Sequence, residues 1–125
     1  MAKRIKIAWS KEPNKKDYPA AERFLCLLFE AKEAAEITAM LRNVPVTRQV
    51  ARDILRAAAI STIGISDSDE ERDKILAGEE VSPLLLVRHK ETGRVIVADG
   101  FHRLCTVFKI DHKSMVPCKI VDSRA

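Results

Sequence analysis

Polar and apolar residues alternate across Arg4-Ile5-Lys6-Ile7-Ala8-Trp9, a period of two that predicts a half-buried strand. Lys11-Glu12-Pro13-Asn14-Lys15-Lys16 breaks the pattern and reads as a loop. Asp17 and Pro19 then open a helix, because aspartate favours the cap and proline is tolerated in a first turn that needs no N–H from it. Phe24, Leu25, Leu28 and Phe29 fall on one face of that helix. A second helix is expected from about Lys32 to Arg42, with Ala35, Ile37, Met40 and Leu41 turned inward, stopped by Asn43 and Pro45.

Val46 to Ile60 supports two patterns. Val46, Val50, Ile54 and Leu55 fit a helix. The alternation Val46, Arg48, Val50, Arg52, Ile54 also fits a strand that leads into Leu55-Arg56. Further on, Ser68-Asp69-Glu70-Glu71 forms a capping box, with acidic residues crowding the first turn where the helix dipole favours them, and Gly78 closes that helix. The continuous apolar run Leu84 to Val87 predicts a strand buried on both faces. His89-Lys90-Glu91-Thr92-Gly93 is a hairpin turn, and Val95-Ile96-Val97-Ala98 is the returning strand. Asp99-Gly100 breaks it. Phe101 to Phe108 is helical, with Leu104, Val107 and Phe108 inward, and Met115 to Val121 is a last strand after the loop Ile110-Asp111-His112-Lys113. The expected fold class is α+β: one domain over residues 1–125, with a mixed sheet and helices packed on it.

A chain of 125 residues has room for one core, and 46% apolar with 32% charged residues is the balance of a water-exposed globule. No apolar run is long enough to cross a bilayer, and no apolar h-region follows Met1-Ala2-Lys3-Arg4, so the cytoplasm is the expected compartment. Cys26, Cys105 and Cys118 show neither C-x-x-C nor zinc-finger spacing and read as buried small hydrophobes. The net charge of +4 is unevenly spread: Lys3 to Lys16 and Arg42 to Arg56 are basic, and the acidic stretch Asp67 to Asp73 is helix grammar. A basic balance permits an anionic partner, nucleic acid included, without demanding one, and no aromatics interleave the basic residues.

The chemistry concentrates in one unit: strand Val95–Ala98, turn Asp99-Gly100, then Phe101-His102-Arg103 opening a helix. Helix N-termini carry unpaired amides and a partial positive charge. A glycine there admits a ligand close to the backbone, and arginine adds a planar fork that matches phosphate. Together these make an anion cradle. The bland alternative is an aspartate cap, a turn glycine, and a surface histidine and arginine. Thr106 follows Arg103 at i+3, in reach of the same anion or simply a surface helix residue. Metal ligation by Asp99 with His102, or Asp111 with His112, rests only on neighbouring positions.

The segment from Ser82 to Val121 resembles the ParB/sulfiredoxin superfamily. The resemblance is carried by Pro83-Leu84-Leu85-Leu86-Val87, by Val95 to Gly100, by Phe101-His102-Arg103, and by Val116-Pro117-Cys118-Lys119-Ile120-Val121. It extends weakly to Asp53-Ile54-Leu55-Arg56, which resembles the family's first strand and its following arginine; residues 1–45, a strand and two helices, lie outside it as an extension to a core at 46–125. ParB proteins grip CTP phosphates with G-x-x-R, matched by Gly100 and Arg103, but the glutamate after the glycine is Phe101, and no arginine box or helix-turn-helix domain is present. Sulfiredoxins use G-C-H-R, and their cysteine nucleophile is also Phe101 here. The branch resembling archaeal free-serine kinases carries an aspartate before the glycine and a histidine–arginine pair after it, which Asp99, Gly100, His102 and Arg103 match best; its catalytic glutamate has no local counterpart.

The resemblance implies a nucleotide-binding protein. Asp99, Gly100, His102, Arg103 and Thr106 would hold the phosphates, with Arg56 as a second arginine across the pocket. A nucleoside triphosphate or diphosphate with Mg²⁺, one contact being Asp99, is the implied ligand, and phosphotransfer or nucleotide hydrolysis is the chemistry such a site supports. The other class is a non-enzymatic nucleic-acid-binding or protein-interaction module. Phe101 in place of a reactive residue favours binding over chemistry, or supplies a ring to stack on a base.

Overall fold

The computed structural model describes residues 6–61 and 69–123. In chain order these form α1 (Asp17–Leu25), α2 (Ala31–Asn43), β1 (Thr47–Val50), α3 (Ala51–Ala57), α4 (Asp69–Leu76), β2 (Leu84–Arg88), β3 (Val95–Asp99), α5 (Phe101–Ile110) and β4 (Met115–Asp122). The sheet order is β1-β4-β2-β3. β4 runs antiparallel to β1 and parallel to β2, and β2–β3 is an antiparallel hairpin, so the sheet is mixed and the fold is α+β.

Burial of β2 on both faces explains its unbroken apolar run. Leu84 and Leu86 join a core with Ile54, Leu55, Ile75, Leu104 and Val107, from α3, α4 and α5. Leu85 and Val87 join a second core with Tyr18, Ala21, Leu25, Ile37 and Leu41, from α1 and α2. Helices therefore cover both faces of the sheet. Pro117 interrupts β4 one residue before its pairing with β2 begins at Cys118, where a missing N–H breaks no ladder on that side. Lys119, next along β4, is buried: its ammonium donates 3.2 Å to the Arg42 carbonyl at the end of α2 and lies 5.5 Å from the centre of the Tyr18 ring. That carbonyl belongs to the negative end of the α2 dipole, which suits a cation.

Several expectations change. Among the described residues the N-terminal segment forms no strand; Trp9 makes an isolated parallel bridge to Val81. Alternation alone cannot create a sheet neighbour, and among the described residues of this segment the bridge at Trp9 is the one sheet-like pairing. Val46–Ile60 is split: residues 47–50 are strand, but Asp53-Ile54-Leu55-Arg56 is helix, because Ala51, Ile54 and Leu55 bury together at helical spacing. In α2, Ala34 is buried where Ala35 was expected, and Met40 is 38% exposed. In and after α1, Leu25 is buried, whereas Phe24 and Leu28 are exposed. Cys26 is exposed; Cys105 and Cys118 are buried, and burial raises both their thiol pKa values. The capping serine Ser68 lies outside the described residues, while Gly78 ends α4 with φ +82° and Glu79 N–H donating 3.1 Å to the Lys74 carbonyl.

Candidate functional site

β3 delivers Asp99 to the site through a bulge. Leu85 pairs with Asp99 and Leu86 with Val97, so Ala98 is the extra residue on β3. In regular alternation Asp99 would share the face of Val97, toward α3 and α5. The bulge puts Asp99 on the face that Ala98 shares with Leu85 instead, toward α1. No pattern of apolar residues in the sequence marks this shift.

Gly100 follows as the N-cap of α5, with φ +100° and ψ 18°. An added Cβ would lie 2.3 Å from Leu84 Cδ2 and 2.8 Å from Arg103 Nη2. The space beside Gly100 is thus filled by a core leucine and a folded-back arginine. The glycine is required for packing, which corrects the expectation that it admits a ligand there. No side chain caps α5. Asp99 sends its carboxylate to Arg103 instead, at 2.9 Å from Nη2.

Arg103 is the hub. Asp17 Oδ2 stands 3.9 Å from the same Nη2, and the Ser82 hydroxyl donates to that Asp17 oxygen. Ser82 Oγ in turn accepts 3.1 Å from the Asn14 amide. Asp17 opens α1 and Asp99 precedes α5, so each carboxylate sits at a helix N-terminus, whose partial positive charge offsets its burial. Burial is the largest influence on Asp99 and raises its pKa; Arg103 pulls it down and Asp17 pushes it up. Arg103 Nε is buried without a hydrogen-bond partner.

The guanidinium lines a cleft of about 260 Å³ between the α1 and α4 ends. Its ionisable lining is Lys16, Lys74 and Arg103 against Asp17, Glu71, Glu79 and Glu80, so carboxylates outnumber cations by one. Asp99, 2.9 Å from the guanidinium, does not line the cleft. Asn14, Lys16 and Asp17 come from the N-terminal extension. Sequence reading missed them because the turn motif lies more than eighty positions away; the available signal was an aspartate at a helix start.

The expected site residues are thus partly assembled. Asp99, Gly100 and Arg103 meet. His102 is exposed on the first turn of α5, with its ring edge-on to Phe101 at 5.6 Å. Thr106 is fully buried with an unpartnered hydroxyl, because the turn it occupies faces the core, and it does not line the cleft. Arg56 sits exposed on α3, 3.7 Å from Asp53, and is also absent from the cleft wall. The helix that replaces the expected strand turns it outward. Among the described residues, no group of three or more His, Cys, Asp or Glu is arranged to hold a metal ion. No helix there is long and apolar enough to cross a membrane. Compared with protein-family models, with curated proteins and with solved structures, the chain matches none.

Proposed function

We propose that this chain is a nucleotide-binding protein of the ParB/sulfiredoxin-like type, which holds phosphates where α5 begins, at the Asp99–Arg103 turn. The observation that carries the reading is Arg103, on the uncapped first turn of α5, lining a cleft that also presents Lys16 and Lys74. Backbone amides, a helix dipole and a guanidinium are the donors a phosphate needs. The donor set fits Mg²⁺ carried in by the nucleotide better than a resident ion, since the cleft carboxylates converge on no three-ligand site. A bound Mg²⁺ would supply charge neutralisation on the phosphates. Arg103 would orient them, and Asp99 would hold Arg103 in place. Phosphotransfer or hydrolysis would follow from positioning and electrostatics.

The alternative is a non-enzymatic interaction module, favoured by apolar groups at the α1–α2 turn: Phe24 is 41%, Leu27 80% and Leu28 50% exposed. Nucleic acid is the weaker partner for that reading, since Arg52 and Arg56 both lie within ion-pair distance of Asp53.

A thermal-shift panel of CTP, ATP, ADP and GTP, with and without Mg²⁺, separates the two. A nucleotide at 100 times its Kd should stabilise the fold by about 2.7 kcal/mol, a rise of about 10 °C for a domain of this size. Arg103→Ala should weaken binding by roughly 10- to 150-fold, while Arg94→Ala, on the approach to β3, should matter little. No shift with any nucleotide would leave the interaction module.

A further inference from the structure

The two edges of the sheet differ in character. β1, at one end, carries Thr47, Arg48 and Gln49, all polar and exposed. β3, at the other, carries Val95-Ile96-Val97, with no lysine or proline to discourage a further strand. Val95 and Val97 pack into the core on one face and Ile96 into the core on the other, yet all three stay partly exposed. Among the described residues no strand lies beyond β3, so its outer side is open.

The hairpin fixes which backbone groups face outward. His89 N–H donates 2.8 Å to the Arg94 carbonyl, so Arg94 bonds across the hairpin, and by alternation so does Ile96, opposite Val87. Val95 and Val97 therefore turn their N–H and C=O groups away from β2. The bulge at Ala98 ends this regular ladder. The open segment Val-Ile-Val reads the same in both directions. A second, antiparallel copy centred on Ile96 sets each Val95 opposite the other chain's Val97, and each such pair exchanges both N–H···O bonds. Arg94 then approaches the far end of the other β3, where Asp17 and Asp99 together outnumber Arg103. Unlike charges thus meet at both ends of the pairing. The helix layer adds apolar surface: α1 packs on β3 and α2 on β4. Glu22 and Cys26 share a groove with Arg42 of α2, so Phe24, half a turn round α1 and 41% exposed, lies on the flank above the open edge.

We propose that the β3 edge is a self-association surface, on which two copies of this chain pair β3 with β3 about Ile96 into one continuous sheet. Such a contact is isologous, as a closed dimer requires. Nucleotide binding at the α5 turn is not needed for it.

Sedimentation velocity of the full chain reads the assembly. The wild type should dimerise with a Kd on the order of 10 µM, as a small interface allows. Val95→Pro removes only an outward N–H, so it keeps the hairpin ladder and should weaken dimerisation at least about tenfold. Phe24→Glu should weaken it from outside the sheet, and decides the matter if the proline variant does not fold. Arg48→Ala, on the polar edge, should leave the Kd within about twofold. Cysteine trapping reads the register, in a Cys26→Ser background that removes the exposed thiol. With oxidised glutathione, Ile96→Cys should form an interchain disulfide, its two copies standing about 4.5 Å apart at Cα, whereas Val97→Cys, about 8 Å from its copy, should not. A wild type that stays monomeric at about 1 mM overturns the inference, whether the edge is closed or takes an extended peptide of another protein. So does a folded Val95→Pro or Phe24→Glu variant that dimerises like the wild type, or a disulfide that forms as readily at position 97 as at position 96.

Discussion

Replacing Gly100 with alanine should lower the unfolding free energy by about 3–5 kcal/mol, from left-handed backbone strain together with overpacking. The backbone there has φ +100°, which an L side chain rarely adopts. The new Cβ would also sit 2.3 Å from Leu84 Cδ2. Leu84 cannot yield easily, being fully buried between β2 and the α5 layer. Arg103 Nη2, 2.8 Å away, is tied to Asp99 and can move only by breaking that contact. Gly93→Ala is the control: its φ of +73° is also left-handed, but no atom lies within 4 Å of the added Cβ. That variant should lose only about 1–2 kcal/mol, the strain alone. Urea unfolding of both variants measures the difference. Equal losses would mean that Leu84 and Arg103 do not press against Gly100.

Arg103→Ala should cost about 3 kcal/mol at pH 7, because it leaves two carboxylates in a mostly buried site without their shared cation. The side chains of Arg103, Asp17 and Asp99 are 19%, 8% and 17% exposed, so solvent screens the loss only in part. The cost should depend on pH. Asp99 has a raised pKa in the fold, so its ionisation disfavours folding: stability linked to it is full below the unfolded value near 3.8 and falls as pH rises through the folded value. Without Arg103 that rise should be larger, so the variant's deficit should shrink on acidification as Asp99 takes up a proton. In the double variant Arg103→Ala/Asp99→Asn, part of the loss at pH 7 should return. Chemical denaturation from pH 4 to pH 8 tests both points. A deficit constant across that range, with strictly additive variants, would show that packing of the arginine stem matters and its charge does not.

What was legible in the sequence follows from the range of the interaction concerned. The hairpin Leu84–Val87 with Val95–Ala98, the helix after Gly100 and the last strand are set by local pattern and turn chemistry, and the structure has all of them. Asp99, Gly100 and Arg103 could be grouped because one stretch of five residues, Asp99 to Arg103, contains them. The bulge at Ala98 was not legible, since it is a mismatch between two strands and leaves no trace in either alone. The strand leading into Arg56 became α3 because the burial of Ala51, Ile54 and Leu55 against the sheet overrides their alternation. Thr106 follows Arg103 at i+3, about 60° round the helix axis from it, which is enough to turn its hydroxyl from cleft to core. The contribution of Asn14, Lys16, Asp17 and Ser82 depends on how two helix ends meet across the sheet, and no spacing encodes that.

Amide mapping reads out whether phosphate is held where α5 begins. Adding Mg²⁺ and the nucleotide that gives the largest thermal shift to ¹⁵N-labelled protein should move the backbone resonances of Phe101, His102 and Arg103 most. Smaller changes are expected at Asn14, Lys16 and Ser82, which line the cleft with Arg103. Those shifts should saturate with one affinity and persist at moderate salt, as a single partly buried site requires. Shifts spread over Arg48, Arg52 and Arg56, fading as salt rises and leaving Phe101 to Arg103 unmoved, would contradict the account.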